Sequence, residues 1–571
     1  MNPTFFSLLY PKRETEFHDL SEITMHDLGL DFIVKKVTQK EPEQKLILNV
    51  LSKMTDDAFV TQYRCDVFMD IYKNPKMRQR LMEILDKIKF LQDFGSFKRD
   101  YEESSTVWDL MHRLDEINEY IQCVEAFHDC LSGAEIQSRG LNELKAYVES
   151  LYGEQGFEEL KKDIKNLKAT TSNIKSVTVG INLNERFEAE GIGLISVNSK
   201  SFTKSNIIGN FCDAISTKDS IHSEADWDEK YKYHPFGEKG DKLIGTIEHL
   251  GRLNTAMAHP VMAGGIASVP EDDAMSEITK YMDRVTEKML SQVVKKLREV
   301  LNKYVCITIT DITKLIPEFI YYIRWAEYIE KLTGYGISFC KAEIAEGDAK
   351  ERIMHAKGIY NLKLASVVME NKETIVTNDL SFDKEHLVYI LTGANRGGKT
   401  TITQAIGILF VLAQGGIFVP GEAFAFHPVD AILTHFPADE DKTMDLGRLG
   451  EECKRFRELY SSCTQNSLLL LNETFSTTSF EEGYFIAKDA VKAILAKGVR
   501  TIYNTHMHKL AFDIEEMNET SGDVKAVSLV MRSENGKRSF HLEIAAPEGM
   551  SYAQDIAEKY GVTYELLTQD I

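Results

Sequence analysis

The chain has 571 residues with a formal net charge of −21, and 43% of its residues are hydrophobic and 27% charged. This length exceeds what one hydrophobic core supports, and the composition excludes a disordered or fibrous protein, so we expect about three or four folded domains. The acidic balance argues against a protein that coats nucleic acid indiscriminately, because phosphate binding draws on clustered Lys and Arg, but it is compatible with a local basic patch.

Cysteine spacing and apolar runs point to a cytoplasmic protein. The eight cysteines are scattered without a Cys-x-x-Cys pair, which argues against a disulfide framework or a zinc site. The N-terminal apolar run precedes its basic residues and is broken by Pro11, unlike a signal peptide. The longest apolar stretch, 405–413, is too short to cross a bilayer of about 30 Å as a helix, so we expect no membrane span.

Residues 1–164 are predicted to form a helical domain. Between Met77 and Leu91, apolar side chains recur every three or four positions, which places them on one helical face after the start signal Asn74-Pro75. A stripe of this kind is more often a core-facing surface than a functional one. We therefore assign it to packing.

An inserted region is predicted over 165–265. The segments "SVTVGINLN" and "GLISVNSKSF" alternate apolar and polar residues, which predicts a small antiparallel pair of strands. From Leu160 to Ser205 the sequence contains eight basic and four acidic residues, so the net charge of this segment is +4, opposite in sign to that of the whole chain. Such an excess is more often a solvated face than a nucleic-acid site.

The rest of the chain divides at about residue 345. Within 266–345, an apolar stripe predicts a helix from about Ser276 to Tyr304, roughly 43 Å long, which can carry a displacement between domains. From 346 to 571, apolar strands alternate with helices, which predicts a mostly parallel sheet covered by helices on its faces. The expected fold class is therefore multidomain α + α/β.

A phosphate-binding loop is predicted within "LTGANRGGKTT", which fits G-x-x-x-x-G-K-S/T between a strand and a helix. Its glycines allow backbone N–H groups to turn towards phosphates, and the helix N-terminus adds its dipole. Lys399 is expected to meet the β- and γ-phosphates and Thr400 to hold Mg²⁺. The predicted loop residues are Gly393, Ala394, Asn395, Arg396, Gly397, Gly398, Lys399, Thr400 and Thr401.

Two further strands end in polar residues. The strand in "SLLLLNE" ends in Asn472 and Glu473, at the sheet edge where ligands bind in open α/β folds, and a carboxylate there is placed to act as the base for water. "NTHMHKL" places His506 after another strand, near enough to approach a γ-phosphate. The plainer alternatives are an ordinary strand end and a structural histidine. His506 and His508 have no evident third ligand, so zinc is discounted.

A phosphate loop, a strand ending in Glu and a strand ending in His follow this order in ABC-type ATPases, and the sequence resembles the MutS family of mismatch-repair ATPases. "TGANRGGKTT" resembles the family's T-G-P-N-M-G-G-K-S-T, "NETFSTTSFEEG" its D-E-x-G-R-G-T-S-T-x-D-G, and "NTHMHKL" its A-T-H-Y-x-x-L. "GGIFVPGEAFAFHPVDAILTHF" is similar to the family's G-x-x-V-P-A segment and the strand after it, and "PEGMSYAQDIAEKYGV" resembles the closing helical motif that helps hold the dimer. Upstream, "LGLDFIV", "VTQYRCDVFMDI" and "IKSVTVGINLNERF" resemble the core and clamp of smaller MutS-like proteins.

The resemblance implies a helical core (1–164), an inserted clamp (165–265), lever helices (266–345) and an ABC-type P-loop ATPase domain with C-terminal dimerisation helices (346–571). In a homodimer, ATP and Mg²⁺ would lie at the interface. Glu473 would be the base, Lys399 and His506 would contact the γ-phosphate, and Ile375 would pack on adenine beside Asn378. Thr400 and Asn472 would form the metal site. The DNA-contact candidates would be Lys161, Lys165, Lys168, Lys175, Lys200 and Lys204.

Three departures from the family pattern limit what is carried over. Asn472 replaces the metal-site Asp, which is expected to slow turnover. Gly447, in "DLGRLGEE", lies near the position of the Ser in the trans-acting signature. Only about 25 residues precede the first segment that resembles the family core, so we expect no mismatch-reading domain with its Phe-x-Glu wedge, and "FEE" at Phe157 receives no wedge role.

Two functions remain open. The first is a homodimeric DNA-binding ATPase of DNA repair or recombination that closes a clamp on duplex or branched DNA, read by shape and backbone. The second is a nucleotide-gated interaction protein in which hydrolysis is weak or absent because of Asn472. Turnover measured with and without DNA distinguishes the two.

Overall fold

The architecture is taken from a computed structural model and falls into two compact units. The first lies within 1–83, 130–147 and 312–571, and the second within 84–129 and 148–311. The structure describes residues 7–11, 15–94, 107–153, 155–171, 176–183, 185, 189–198, 295, 297, 299–301, 314–371, 374–394, 396–437, 447–534, 537–547, 558 and 560–568.

Helices dominate the N-terminal half of the described chain and flank the strands of the C-terminal half. They are Glu22–Leu28 (α1), Leu30–Val37 (α2), Glu41–Ser52 (α3), Ala58–Lys73 (α4), Pro75–Phe94 (α5), Val107–Ser132 (α6), Arg139–Gly153 (α7), Gln155–Thr171 (α8), Ile316–Thr333 (α9), Leu362–Asn371 (α10), Lys399–Gln414 (α11), Gly447–Ser462 (α12), Phe480–Lys497 (α13), His508–Phe512 (α14), Ile514–Glu519 (α15) and Tyr564–Leu567 (α16). In the part of the chain that the structure describes, no helix has both the length and the apolar character needed to span a bilayer.

The strands are His18–Asp19 (β1), Lys53–Met54 (β2), Ser176–Leu183 (β3), Ala189–Asn198 (β4), Phe339–Cys340 (β5), Ala342–Ile344 (β6), Met354–Ile359 (β7), Asn378–Phe382 (β8), His386–Gly393 (β9), Val419–Pro420 (β10), Ala423–Phe426 (β11), Ile432–His435 (β12), Leu468–Asn472 (β13), Arg500–Asn504 (β14), Lys525–Glu534 (β15) and Lys537–Ile544 (β16).

The main sheet has six strands in the order β12-β13-β14-β9-β15-β16. Its first five strands run parallel, and β16 returns antiparallel to β15. The residues of β13 and β14 are all buried, as expected for parallel strands covered on both faces. A second sheet has the order β6-β11-β7-β8. The mixed helical and sheet architecture and the mostly parallel sheet predicted after residue 346 are therefore present.

Helix α11 begins at the predicted phosphate loop and ends on side chains of the helical region. The backbone carbonyls of Gln414 and Gly415 accept hydrogen bonds from Arg64 Nη1 and Tyr321 Oη, both at 2.9 Å. Arg64 is fully buried, and the partial negative charge at the helix C-terminus offsets part of its desolvation cost. Gly416 has a φ of +81°, and a Cβ there would lie 2.3 Å from the Cβ of Arg64, so only glycine fits.

The inserted region is described in part. β3 and β4 pair antiparallel from Ser176↔Asn198 to Leu183↔Ala189, which is the pairing predicted for these segments. Residues 295, 297 and 299–301 are helical, within the predicted helix at 276–304. The rest of that helix and residues 199–265 lie outside the described residues, and the domain boundaries stay a prediction.

Replacing Arg64 by Met should lower the free energy of unfolding by about 3 kcal/mol, because the carbonyls of Leu9 and Gln414 lose their donor. Urea denaturation followed by circular dichroism measures the change. Arg80→Met, at an exposed position of α5, is the matched control and should change it by less than about 0.5 kcal/mol. Equal losses in the two variants would contradict the anchoring role of Arg64.

Candidate functional site

The predicted phosphate loop connects the end of β9 to the start of α11. Gly393 has a φ of +135°, and a Cβ there would lie 2.8 Å from the backbone oxygen of Met531. Gly398 has a φ of +94° and gives α11 no side-chain cap, so the first N–H groups of the helix stay available to an anion. Asn395 lies outside the described residues. Backbone conformation therefore requires glycine at both ends of this loop.

The lysine of the loop is bonded to the loop itself. Lys399 is buried, and its Nζ donates to the backbone oxygens of Gly393 at 3.0 Å and Ala394 at 3.4 Å. Burial lowers the pKa of Lys399, and the charge of Glu473 opposes that shift. A phosphate that enters the loop must replace these carbonyls as the acceptor for Lys399. It then gives the buried ammonium a partner of opposite charge.

The remaining loop residues form a tight turn. The N–H of Gly397 donates to the backbone oxygen of Ala394 at 3.0 Å, and Arg396 is exposed with a φ of +59°. The backbone oxygen of Thr401 accepts from Asn361 Nδ2 at 2.7 Å, which ties the first turn of α11 to the segment before α10. The loop is thus held by backbone geometry and by one buried amide.

The predicted metal site contains three neutral side chains. Thr400 Oγ1 donates to Asn472 Oδ1 at 3.0 Å. Asn504 Nδ2 donates to the same Asn472 oxygen and, at 3.4 Å, to Thr400 Oγ1. A hydroxyl and an amide oxygen are ligand types that suit Mg²⁺, so these residues fit the ion, although without a carboxylate. Asn504 was not predicted, although both parallel strands end in Asn.

Glu473 and His506 meet directly after the ends of β13 and β14. The carboxylate of Glu473 contacts His506 Nδ1 and accepts the His506 backbone N–H at 3.2 Å. The hydrogen bond to Glu473 raises the pKa of His506, although partial desolvation acts against it. Glu473 has a left-handed φ of +53°, a conformation that costs a non-glycine residue about 1 kcal/mol or more. The Glu473 carboxylate lies close enough to Lys399 for its charge to oppose the lowering of that lysine's pKa by burial.

The loop that carries Glu473 is fixed by α12. Glu452 accepts the Phe475 backbone N–H at 2.8 Å and the Thr477 hydroxyl at 2.6 Å. The buried hydroxyl of Thr474, the residue between Glu473 and Phe475, bonds to His435 Nδ1 at 3.0 Å. Sequence reasoning missed Glu452, although the paired acidic residues of "LGEE" were a signal. Gly447 begins the same helix.

An exposed aromatic ring lies against the phosphate loop. A Cβ on Gly398 would lie 3.2 Å from the Phe540 ring, and Phe540 is 41% exposed with a φ of +59°. Asn378 accepts the Leu542 N–H at 2.7 Å and donates to the Phe540 carbonyl at 3.1 Å. Ile375 is half-buried in the segment before β8. Sequence reasoning missed Phe540, because nothing in the sequence signals the proximity of residues so far apart.

Most of the predicted DNA-contact lysines that the structure describes are neutralised by carboxylates. Lys161 pairs with Glu125 at 2.8 Å and Glu158 at 3.1 Å, and Lys168 pairs with Asp115 at 3.1 Å. These pairs reduce the net positive charge available to a phosphate backbone. Lys165 is exposed on α8, whereas Lys175, Lys200 and Lys204 lie outside the described residues.

Comparison with known proteins identifies the family. The family model described as MutS domain V matches residues 389–569, and the one described as MutS2 N-terminal domain matches residues 56–335. The chain belongs to the MutS family. It is 28% identical over 247 residues to Endonuclease MutS2 of Caldicellulosiruptor bescii, over 43% of this chain and 31% of the relative.

The chain also matches two proteins named DNA mismatch repair protein MutS, over similar lengths. The protein of Chlorobium phaeovibrioides is 28% identical over 247 residues, which is 42% of this chain and 27% of the relative. The protein of Chlorobium chlorochromatii is 30% identical over 201 residues, which is 35% of this chain and 22% of the relative. The chain thus spans less than a third of the length of these MutS relatives.

Replacing Glu473 by Gln should lower the pKa of His506, because the carboxylate that stabilises the imidazolium is removed. Since folding raises this pKa, the pair stabilises the fold at acidic pH, and the contribution is lost as the pH rises through the folded pKa. NMR titration of the His506 ring measures the shift. Glu481→Gln, at an exposed position of α13, is the charge-matched control, and an equal fall in that variant would refute the assignment.

Replacing Glu452 by Ala should accelerate hydrogen exchange at the Phe475 amide by about tenfold, because the acceptor of that N–H is lost. Exchange followed by mass spectrometry of the peptide that contains Phe475 measures it. Glu451→Ala, the neighbouring acidic position, should leave the rate unchanged. Equal rates in the two variants would show that α12 does not hold the loop.

Proposed function

We propose that this MutS family protein binds ATP in the loop 393–400 and hydrolyses it slowly. The observation that carries the proposal is the position of Lys399, Thr400, Asn472, Glu473 and His506 at one edge of the parallel sheet. These residues come from three segments of the chain, and together they provide a cation, oxygen ligands and a base for phosphoryl transfer.

The chemistry is attack of water on the γ-phosphorus of ATP, which forms a bond from the water oxygen to phosphorus and breaks the bond to the bridging oxygen, so that ADP and inorganic phosphate are released. Glu473 takes the proton from the water, and its contact with His506 holds the carboxylate in place. Lys399 leaves its loop carbonyls and neutralises the phosphates together with the first N–H groups of α11. Thr400 and Asn472 would hold Mg²⁺, which would supply charge stabilisation to the phosphates when bound.

The base of the nucleotide lies against Phe540 in this proposal. The exposed ring adjoins Gly398 at the start of α11, and the side chain of Asn378 fixes the backbone on both sides of His541. Ile375 supplies an apolar contact where many relatives carry an aromatic residue. Phe540 then stacks on the adenine, beside the apolar contact that the family resemblance implies for Ile375.

The substrate context is DNA in duplex or branched form, in DNA repair or recombination. The support is family membership, with relatives that are named as a mismatch repair protein and as an endonuclease. The working unit is a cytoplasmic homodimer with two composite ATP sites, in which the core (1–164), clamp (165–265) and lever (266–345) respond to the ATPase domain (346–571). The clamp contacts DNA through its lysines.

A second function is favoured by one observation. The metal site holds Thr400, Asn472 and Asn504, which are all neutral, so a charge that supports rapid turnover is missing. In this alternative, ATP binding switches the dimer for a protein partner, and hydrolysis is nearly absent.

Steady-state ATPase assays on the wild type, Glu473→Gln and Asn472→Asp test both proposals. If the protein is a DNA-dependent ATPase, Glu473→Gln should abolish turnover, and linear, branched or mismatched DNA should stimulate the wild type. If the wild type is no faster than Glu473→Gln while Asn472→Asp gains activity, the switch function is correct. An absence of salt-dependent DNA binding would count against the DNA-linked function.

Replacing Phe540 by Ala should weaken ATP binding by roughly 10- to 100-fold, since stacking on a base contributes about 1–3 kcal/mol. Isothermal titration with a non-hydrolysable ATP analogue measures it. Phe512→Ala, which removes a similarly exposed ring from α14, should leave the affinity unchanged. An unchanged affinity in Phe540→Ala would remove Phe540 from the base site.

A further inference from the structure

Asn504 ends β14 beside the metal-site residue of β13. The two strands are parallel, and Asn472 and Asn504 are register partners at the carboxyl edge of the sheet. Asn504 is fully buried, although its side-chain amide carries both a hydrogen-bond donor and an acceptor. The MutS pattern has Asp where this chain has Asn472 and Ala where it has Asn504. The chain therefore departs from the pattern at two paired positions.

Asparagine at a metal site raises a problem of orientation. An aspartate presents an oxygen whichever way its carboxylate turns, whereas an asparagine presents either an oxygen or an N–H₂ group. If Nδ2 of Asn472 pointed at Thr400, a donor would face the metal position and repel a cation. The substitution is compatible with a cation site when a neighbouring group selects one orientation of the amide.

Asn504 fixes the orientation of the Asn472 amide. Its Nδ2 donates to Asn472 Oδ1, which also accepts from Thr400 Oγ1 at 3.0 Å. The same Nδ2 also donates to Thr400 Oγ1, at 3.4 Å. The other polar atom of the amide, Asn504 Oδ1, is buried and without a hydrogen-bond partner. Asn504 Nδ2 thus donates to both metal-site residues, whereas Asn504 Oδ1 accepts no hydrogen bond.

We propose that Asn504 is a positioning residue for the metal site, which turns the oxygen of Asn472 towards Thr400 and the nucleotide-bound cation. The inference rests on the proposed function, because it assigns a role within the same ATP site. It also explains why Asn, an isosteric but uncharged residue, is tolerated at position 472.

A double-mutant cycle tests the proposal, because the orientation problem exists for Asn and not for Asp. The four proteins are the wild type, Asn504→Ala, Asn472→Asp and the double variant. Binding of Mn²⁺ as a probe for Mg²⁺, in the presence of a non-hydrolysable ATP analogue, is followed by electron paramagnetic resonance. Asn504→Ala should weaken Mn²⁺ binding by about tenfold or more when position 472 is Asn. The same change in the Asn472→Asp background should have less than about a twofold effect.

The outcomes separate this inference from the proposed function. An equal effect of Asn504→Ala in both backgrounds, or no effect in either, would overturn the positioning role. A failure of all four proteins to bind the ATP analogue would overturn the ATP site itself. Thermal unfolding without metal checks that each variant folds. Asn504→Ser, which keeps a small hydroxyl donor, is run in both backgrounds and should give a smaller loss than Ala, again confined to the Asn472 background.

Discussion

Parallel pairing of β9, β13 and β14 is the constraint on which the candidate site depends. Their register places Leu391, Asn504 and Asn472 side by side, so β13 and β14 end at the same level and β9 ends two residues further on, at Gly393. The residues that follow each strand must then meet at one edge of the sheet. Loop 393–398, Glu473 and His506 are adjacent for this reason, although they are far apart in the sequence.

Helix α11 extends this constraint into the helical region. It begins at the predicted phosphate loop, and its last carbonyls accept hydrogen bonds from Arg64 of α4 and Tyr321 of α9. The side-chain Nε2 of Gln414 donates two further hydrogen bonds, to the backbone oxygens of Thr55 and Val429. Because a helix fixed at both ends moves as a rigid body, a displacement of the loop at its start is transmitted to α4 and α9 at its end.

The sequence predicted the parts of the site that local pattern determines. Continuous apolar runs indicated β9 and β13, the glycine and lysine spacing indicated the loop, and membership of the MutS family was confirmed. Phe540 and Glu452 were missed, because each acts on a segment distant in the sequence. Asn504 was overlooked for a different reason: its importance depends on the register with Asn472, which no single segment reveals.

A crystal structure with Mg²⁺ and a non-hydrolysable ATP analogue tests the central claim most directly. The account predicts that Lys399 Nζ leaves the carbonyls of Gly393 and Ala394 and bonds to the phosphates, with the base against Phe540 and Glu473 facing the γ-phosphate. A complex in which Lys399 keeps both carbonyl bonds, with the analogue bound elsewhere or not at all, would contradict it.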